Sequence, residues 1–198
     1  MTSKRHICSG CQRPEQVCLC DTLVHLPTPV RVTIWQDPVE AKHALSTAPL
    51  LQLCLDSCER VIGERLSYQD LFGDCDPQAV AVLYPMSHKP PLNQQQVCRI
   101  EHLLILDGTW RKVRKLLLTN PWLESLAHIA LQPAGESRYA VRASPRSDGM
   151  STLEAGVAAL NWMTDSTQYN AILSVLERMV DIQKGFGHKQ IKDNKKGA

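Results

Sequence analysis

The sequence lacks both a long apolar run and an excess of charge of one sign. No apolar stretch approaches the roughly 18 residues that span a membrane, and residues 1–6 lack the apolar core of a secretory signal. The 22 basic and 20 acidic residues give a net charge of +2, so overall charge would not hold this chain on a nucleic acid. We therefore expect a cytoplasmic protein in which any nucleic-acid partner is bound by a local patch.

Internal repeats are also absent, and 198 residues suffice for one well-buried domain with a small appendage. Hydrophobic residues make up 43% of the chain and charged residues 21%, which is typical of a globular protein. We expect three parts. These are a cysteine-rich segment over 1–26, a main domain over 27–187 and a flexible tail over 188–198 that is rich in lysine.

Half of the eight cysteines lie close to the N-terminus in the pattern C-x2-C-x6-C-x-C; they are Cys8, Cys11, Cys18 and Cys20. Four thiolates in two close pairs can surround Zn²⁺ tetrahedrally, and Gly10 allows the backbone turn that this requires. Redox chemistry and an iron–sulfur cluster are the alternatives. Because all four ligands would come from the protein, we expect a structural zinc on which the fold of this segment depends.

Short apolar runs alternate with helical patterns, which predicts an α/β domain with an open, mostly parallel sheet. The predicted strands are 30–35, 58–63, 79–85, 103–106 and 128–132. The predicted helices are 39–55, 111–120, 151–163 and 167–183. The first of these helices could break at Ser46 and Thr47. Ser151 and Glu154 have the spacing of a capping box, which by itself accounts for both residues.

An Asp-Gly-Thr-Trp sequence at 107–110 follows directly on the apolar strand 103–106 and precedes a helix. In an open α/β sheet, ligands bind at the carboxyl ends of the strands, where helix starts offer free N–H groups. Asp107 could simply cap the helix, but Trp110, one turn away, is typical of pockets that hold a flat ring. Residues 84–85 end another buried strand and would face the same crevice if the two strands are parallel neighbours.

Two segments are rich in basic residues; they carry Arg111, Lys112, Arg114 and Lys115 in the helix over 111–120, and Arg138, Arg142 and Arg146 with Tyr139 in the irregular stretch 133–149. The helix could present a solvated face or a phosphate-binding ridge. The irregular stretch could grip phosphates and stack on a base, or its arginines could simply be exposed.

These motifs together resemble the DTW-domain family. The residues that carry the resemblance are Leu83-Tyr84-Pro85, Asp107-Gly108-Thr109-Trp110, Ser137-Arg138-Tyr139 with Arg142, Ser151-Thr152-Leu153-Glu154-Ala155 and the four cysteines, so it covers roughly 8–179. The resemblance implies a fold related to the SPOUT methyltransferases, with a knot near the carboxyl end that holds S-adenosylmethionine. It also implies transfer of the 3-amino-3-carboxypropyl group to N3 of a tRNA uridine, with release of methylthioadenosine.

The resemblance further implies roles for single residues. Asp107 is the candidate catalytic base, because uridine N3 is a poor nucleophile until it loses its proton. The residues expected at the co-substrate are Leu83, Tyr84, Pro85, Gly108, Thr109, Trp110, Ser151 and Thr152. The residues expected at tRNA phosphates are Arg111, Arg114, Arg138 and Arg142. A homodimer is expected by analogy with many SPOUT proteins.

The chain departs from the family pattern after its first strand. Gln36-Asp37-Pro38 stands where family members often have Gln-His-Pro, and Ser46-Thr47 stands where they have Asn-Thr. Any role of the histidine therefore does not carry over to this chain.

Two alternative functions stay open from the sequence. A SPOUT-like RNA methyltransferase would use the same pocket but leave S-adenosylhomocysteine, since the pose of the sulfonium decides which carbon is transferred. A non-catalytic RNA-binding module built on the zinc knuckle and the arginines would not need Asp107.

Overall fold

The computed structural model describes residues 6–131 and 150–185. Its strands are β1 (Arg31–Gln36), β2 (Cys58–Ile62), β3 (Val80–Leu83), β4 (His102–Asp107) and β5 (Ala127–Ile129). Its α-helices are α1 (Ala48–Cys54), α2 (Tyr68–Phe72), α3 (Trp110–Thr119), α4 (Thr152–Thr164) and α5 (Leu173–Gly185). Within these two ranges, every helix is too short or too polar to cross a lipid bilayer.

The five strands form one sheet in the order β2-β1-β4-β3-β5, and each neighbouring pair is parallel. Gln36 at the end of β1 lies directly opposite Asp107 at the end of β4. Leu83 at the end of β3 lies opposite Ile105 of β4. The predicted parallel sheet is therefore confirmed, and the segments after β3 and β4 emerge at the same edge.

Helices cover both faces of the sheet. On one face α1, α4 and α5 pack against side chains such as Val32 and Ile34, and on the other face α2 and α3 pack against Trp35 and Leu104. Successive residues of a strand point to opposite faces. The continuous apolar runs of β1 and β4 therefore supply both cores at once.

The connections that follow the adjacent strands β1 and β4 run on opposite faces of the sheet. The chain leaves β1 through α1 on one face, whereas it leaves β4 through α3 on the other face. Because β1 and β4 are neighbours, their carboxyl ends form the topological switch point of the sheet. Open α/β sheets bind their ligands at this position.

Only the second half of the helix predicted over 39–55 is an α-helix in the structure. The structure has a short 3-10 helix, Glu40–Lys42, followed by a non-helical stretch and then α1. The gap includes the expected break at residues 46–47. Pro49 stands in the first turn of α1, where its missing N–H is tolerated because first-turn N–H groups have no partner within the helix.

The two carboxyl-terminal helices agree well with the sequence pattern. Five apolar residues at helical spacing near the carboxyl end are all buried; they are Ile172, Val175, Leu176, Met179 and Val180. A 3-10 helix, Gln168–Ile172, replaces the first turn of the predicted helix. Gly156 allows α4 to approach α1 closely, because an added Cβ there would lie 2.4 Å from Cδ2 of Leu51.

Candidate active site

Asp107 is the central acid of the switch point between β1 and β4. It is only 5% exposed, and its Oδ2 accepts a hydrogen bond of 2.6 Å from Nε2 of Gln36. Its Oδ1 accepts a second hydrogen bond from the hydroxyl of Thr152 in the first turn of α4. The N-cap residue of α3 is Thr109, so the Asp107 carboxylate ties β1 and α4 to β4 rather than serving as the N-cap.

Gln36 brings further polar groups to this carboxylate. Its side chain is fully buried, and Nε2 also donates to Oγ of Ser46 over 2.8 Å. Its Oε1 accepts a hydrogen bond of 2.6 Å from Nη1 of Arg60 in β2. Sequence reasoning did not include these three residues in the site. The available signal was an amide at the end of an apolar strand, but its partners depend on strand register.

The start of α4 is organised by the predicted capping box, which is confirmed. The N–H of Glu154 donates to Oγ of Ser151 over 3.3 Å, and the N–H of Ser151 donates to Oε2 of Glu154 over 2.8 Å. The N–H of Leu153 donates to Oγ1 of Thr47 over 3.3 Å. The side chain of Ser151 therefore caps the helix, while Thr152, the next residue, contacts Asp107.

A second group of charges lies beside Asp107, on the turn after β1. Nζ of Lys112 lies 3.3 Å from Oδ1 of Asp37 and 2.9 Å from Oε1 of Glu40. Burial acts to raise the pKa of Asp37, but the N–H groups of Glu40 and Val39 and the Lys112 ammonium together lower it. Burial likewise opposes the charge of Lys112, yet Glu40 and Asp37 raise its pKa. Lys112 therefore forms ion pairs within the protein.

An aromatic pair lies at the same edge of the sheet. The ring centroids of Tyr84, which follows β3, and Trp110, which begins α3, are 6.1 Å apart with an interplanar angle of 54°. Trp110 is 36% exposed. The turn between Asp107 and Trp110 has little room for a side chain at Gly108, because an added Cβ there would lie 3.2 Å from Cβ of Lys112. Leu83 is half-buried, whereas Pro85 and Thr109 are exposed.

Apart from Lys112, the predicted residues of the two basic segments divide into three groups. Arg111 and Arg114 lie exposed on α3, on the face of the sheet opposite α4 and α5. Lys115 of the same helix forms an ion pair of 3.1 Å with Glu64. Ser137, Arg138, Tyr139, Arg142 and Arg146 lie outside the described residues.

The four cysteines near the N-terminus form one cluster, with all four Sγ atoms within 4.8 Å of one another. The Sγ atoms of Cys8 and Cys20 are 3.5 Å apart, and those of Cys11 and Cys18 are 3.7 Å apart. A tetrahedral site with Zn–S bonds of about 2.3 Å has sulfur atoms about 3.8 Å apart. The cluster therefore has the ligand number and the size that Zn²⁺ requires.

Two of these thiols, Cys8 and Cys20, have pKa values shifted in opposite directions. Hydrogen bonds from the Cys11 backbone, the Cys20 thiol and the Gly10 backbone lower the pKa of Cys8 to about 6. Contact with Cys8 raises the pKa of Cys20 to about 12. A bound divalent cation would allow all four to ionise together, since metal ligation requires the thiolate form.

The fold and the site define a class of protein: a parallel α/β protein with a buried carboxylate and an exposed aromatic at its switch point, and with a four-cysteine cluster near its N-terminus. The family model of the DTW domain matches residues 5–184. This chain belongs to the DTW domain family.

Curated relatives carry names that describe one activity. The chain is 32% identical to tRNA-uridine aminocarboxypropyltransferase 2 of Drosophila melanogaster, with 80% of this chain and 66% of that protein covered. It is 30% identical to the Macaca fascicularis protein of the same name, with 80% and 56% covered. It is 26% identical to tRNA-uridine aminocarboxypropyltransferase A of Arabidopsis thaliana, with 68% and 56% covered. The chain thus spans between about half and two thirds of these relatives. No solved structure matches it.

Proposed function

We propose that this protein is a tRNA-uridine aminocarboxypropyltransferase that uses S-adenosylmethionine as co-substrate. Membership of the DTW domain family and the names of the curated relatives support this activity over methyl transfer. The structural observation that carries the proposal is the carboxylate of Asp107 at the switch point of the sheet. Transfer to a uridine needs an acceptor for the N3 proton, and Asp107 is placed where this fold binds ligands.

The co-substrate would lie against the aromatic pair at the carboxyl edge. S-adenosylmethionine carries a sulfonium and an ammonium, and both cations are attracted by aromatic faces and carboxylates. Tyr84 and Trp110 supply the aromatic faces, while Asp107 supplies the negative charge. The proposed contacts also include Leu83, Pro85, Gly108, Thr109, Ser151 and Thr152, and the side chain of Ser151 would have to bind while it caps α4.

The transfer itself requires a proton acceptor and an in-line arrangement. Uridine N3 loses its proton to Asp107, a new N–C bond forms to the aminocarboxypropyl group, and the C–S bond electrons pass to sulfur to give methylthioadenosine. The hydrogen bonds from Gln36 and Thr152 hold the Asp107 carboxylate at the end of β4, and its ionised form is the form that can accept this proton. The pose of the sulfonium would select the aminocarboxypropyl carbon over the methyl carbon.

The tRNA would be held mainly by arginines around this site. Arg111 and Arg114 are exposed on the helix that begins at Trp110, and we assign Arg138 and Arg142 to the same role. Phosphate contacts of this kind position a nucleic acid without reading its sequence. A cytoplasmic location, where tRNA is available, and a homodimer complete the proposal.

The remaining structural proposals concern domain organisation. The four-cysteine segment over 1–26 is proposed as a zinc knuckle with a structural role, because four clustered thiolates can fill a tetrahedral coordination sphere. Residues 27–187 are proposed as a SPOUT-like catalytic domain with a carboxyl-terminal knot, and residues 188–198 as a basic flexible tail.

Mass spectrometry of nucleosides and small molecules tests the proposed activity. Purified protein is incubated with S-adenosylmethionine and tRNA that lacks modified nucleosides. We expect a uridine that carries the aminocarboxypropyl group, together with methylthioadenosine, and loss of both products in Asp107→Asn. A methylated nucleoside with S-adenosylhomocysteine would make the protein a methyltransferase. Tight tRNA binding without either product would favour the binding module.

A further inference from the structure

Gln36 is unusual among the buried polar residues because its amide lies between a cation and an anion. Oε1 faces Nη1 of Arg60 at 2.6 Å, and Nε2 faces Oδ2 of Asp107 at 2.6 Å. Arg60, Gln36 and Asp107 come from the three adjacent strands β2, β1 and β4. The register sets Arg60 opposite Ile34 and sets Gln36 opposite Asp107, so all three side chains lie on the same face.

The chemistry of the two neighbours permits only one orientation of this amide. A guanidinium can only donate hydrogen bonds, and an ionised carboxylate can only accept them. The carbonyl end of Gln36 must therefore point to Arg60, and the amino end must point to Asp107. A reversed amide would place oxygen against carboxylate oxygen and N–H against N–H. Arg60 thus selects the orientation in which Gln36 donates to Asp107.

We propose that Gln36 is a positioning residue that holds Asp107 ionised and correctly oriented, and that Arg60 acts on Asp107 through the direction it imposes on Gln36. This inference rests on the proposed function of Asp107 as the base of the transfer. A hydrogen bond to the charged form of a buried carboxylate favours that form. Gln36 therefore keeps Asp107 able to accept a proton. Because the side chain of Gln36 is 0% exposed, water does not compete with Gln36 for this hydrogen bond.

Other charged groups surround this end of the sheet and must be considered in any titration. They are Asp37 after β1, Glu40 in the following 3-10 helix, Lys112 in α3 and Glu154 in α4. Lys112 pairs with Asp37 and Glu40, and Glu154 belongs to the capping box of α4. Substitutions at Gln36 and Arg60 leave all four groups in place, so a change in the Asp107 titration reports the amide bridge.

The test follows Asp107 directly by carbon NMR of zinc-loaded protein labelled with ¹³C-aspartate, with the signal assigned through Asp107→Asn. In Gln36→Met the midpoint of the Asp107 titration should move to higher pH by about one unit, the order expected for one hydrogen bond to a charged group. Arg60→Met should move it in the same direction. In the double variant, the loss of Arg60 should add nothing further.

Two additional variants control for packing and for folding. Gln52→Met removes the other partner of Arg60, since Oε1 of Gln52 accepts a 3.3 Å hydrogen bond from Nε of Arg60, and should leave the Asp107 titration unchanged. Gln36→Glu keeps the shape of the side chain but replaces the donor with a second carboxyl. The Asp107 midpoint should rise further in this variant than in Gln36→Met, because two adjacent carboxylates resist ionising together.

Additive shifts in the double variant would overturn the role of Arg60 through Gln36 and indicate a direct charge effect instead. An unchanged Asp107 midpoint in Gln36→Met would overturn the role of Gln36, whatever the result for Gln36→Glu. If the proposed transfer activity is wrong but the role of Gln36 is right, the titration shifts will be present and wild-type protein will yield no aminocarboxypropyl-uridine. In an active protein, Gln36→Met should lower kcat about tenfold with little change in KM for tRNA, because the Asp107 carboxylate is then no longer held in the orientation that receives the N3 proton.

Discussion

Nζ of Lys112 lies 3.3 Å from Oδ1 of Asp37, which joins the helix after the central strand to the turn after β1. Asp37 stands where the family resemblance leads us to expect a histidine. In this chain, the acid at that position is 5% exposed and shares Lys112 with the equally buried Glu40. Asp37 is therefore part of a group of ion pairs beside the switch point.

Replacement of Lys112 by methionine should destabilise the fold by about 2–4 kcal/mol, because it removes the ammonium that pairs with the buried carboxylates of Asp37 and Glu40. The measurement is the free energy of unfolding from urea titration. Lys115→Met is the matched control on the same helix. Its ion pair with Glu64 is exposed, so its loss should cost less than about 1 kcal/mol. Equal effects of the two substitutions would contradict an internal role for Lys112.

The pKa of Asp37 makes this stabilisation depend on pH. Because the folded-state pKa is lowered, the contribution of Asp37 is present above the ordinary aspartate pKa of about 4 and is lost as the pH falls through the lower folded value. The difference in unfolding free energy between wild type and Asp37→Asn should be constant from about pH 5 to 7 and shrink below about pH 4. A difference that grows in acid would have the wrong sign.

Local patterns predicted a large part of the site. The placement of Asp107 at a strand end follows from the apolar run before it and the helix after it, and the Ser151–Glu154 capping box depends on residues three positions apart. Both features are confirmed in the structure. The parallel pairing of β3 and β4, on which the position of Tyr84 depends, is also confirmed.

The partners of Asp107 could not be predicted in the same way. Gln36 is 71 positions and Thr152 is 45 positions from Asp107 in the chain, so both contacts depend on strand order and register. A slip of one residue would turn Gln36 to the other face of the sheet. The basic pattern of α3 was also incomplete as a guide, because composition does not reveal that Lys112 faces buried acids while Arg111 faces solvent.

Removal of the proposed zinc should weaken the main domain as well as the four-cysteine segment. Leu19 lies between two of the cysteines in sequence and is fully buried in the core shared with α1, α4 and α5. Metal analysis should find one zinc per chain in wild type and in Cys98→Ser, whose exposed cysteine lies outside the cluster. Cys11→Ser should lose zinc and lower the thermal midpoint by several degrees. Iron in place of zinc, or an active metal-free protein, would contradict the structural zinc site.

The exposed arginines of α3 should contribute a salt-dependent share of tRNA affinity. Replacing both Arg111 and Arg114 by alanine should weaken binding and reduce the slope of log affinity against log salt by about 1–2, since each phosphate contact contributes about 0.7–0.9. Binding is measured by fluorescence anisotropy of labelled tRNA at several salt concentrations.

The matched control removes two positive charges from α5, which packs on the other face of the sheet. Arg178 and Lys184 are exposed there, and their replacement by alanine changes the net charge by the same amount. If α3 forms the tRNA-binding surface, this control should retain most of the wild-type slope. Identical losses in the two double variants would indicate that net charge attracts the tRNA, and would remove Arg111 and Arg114 from the proposed interface.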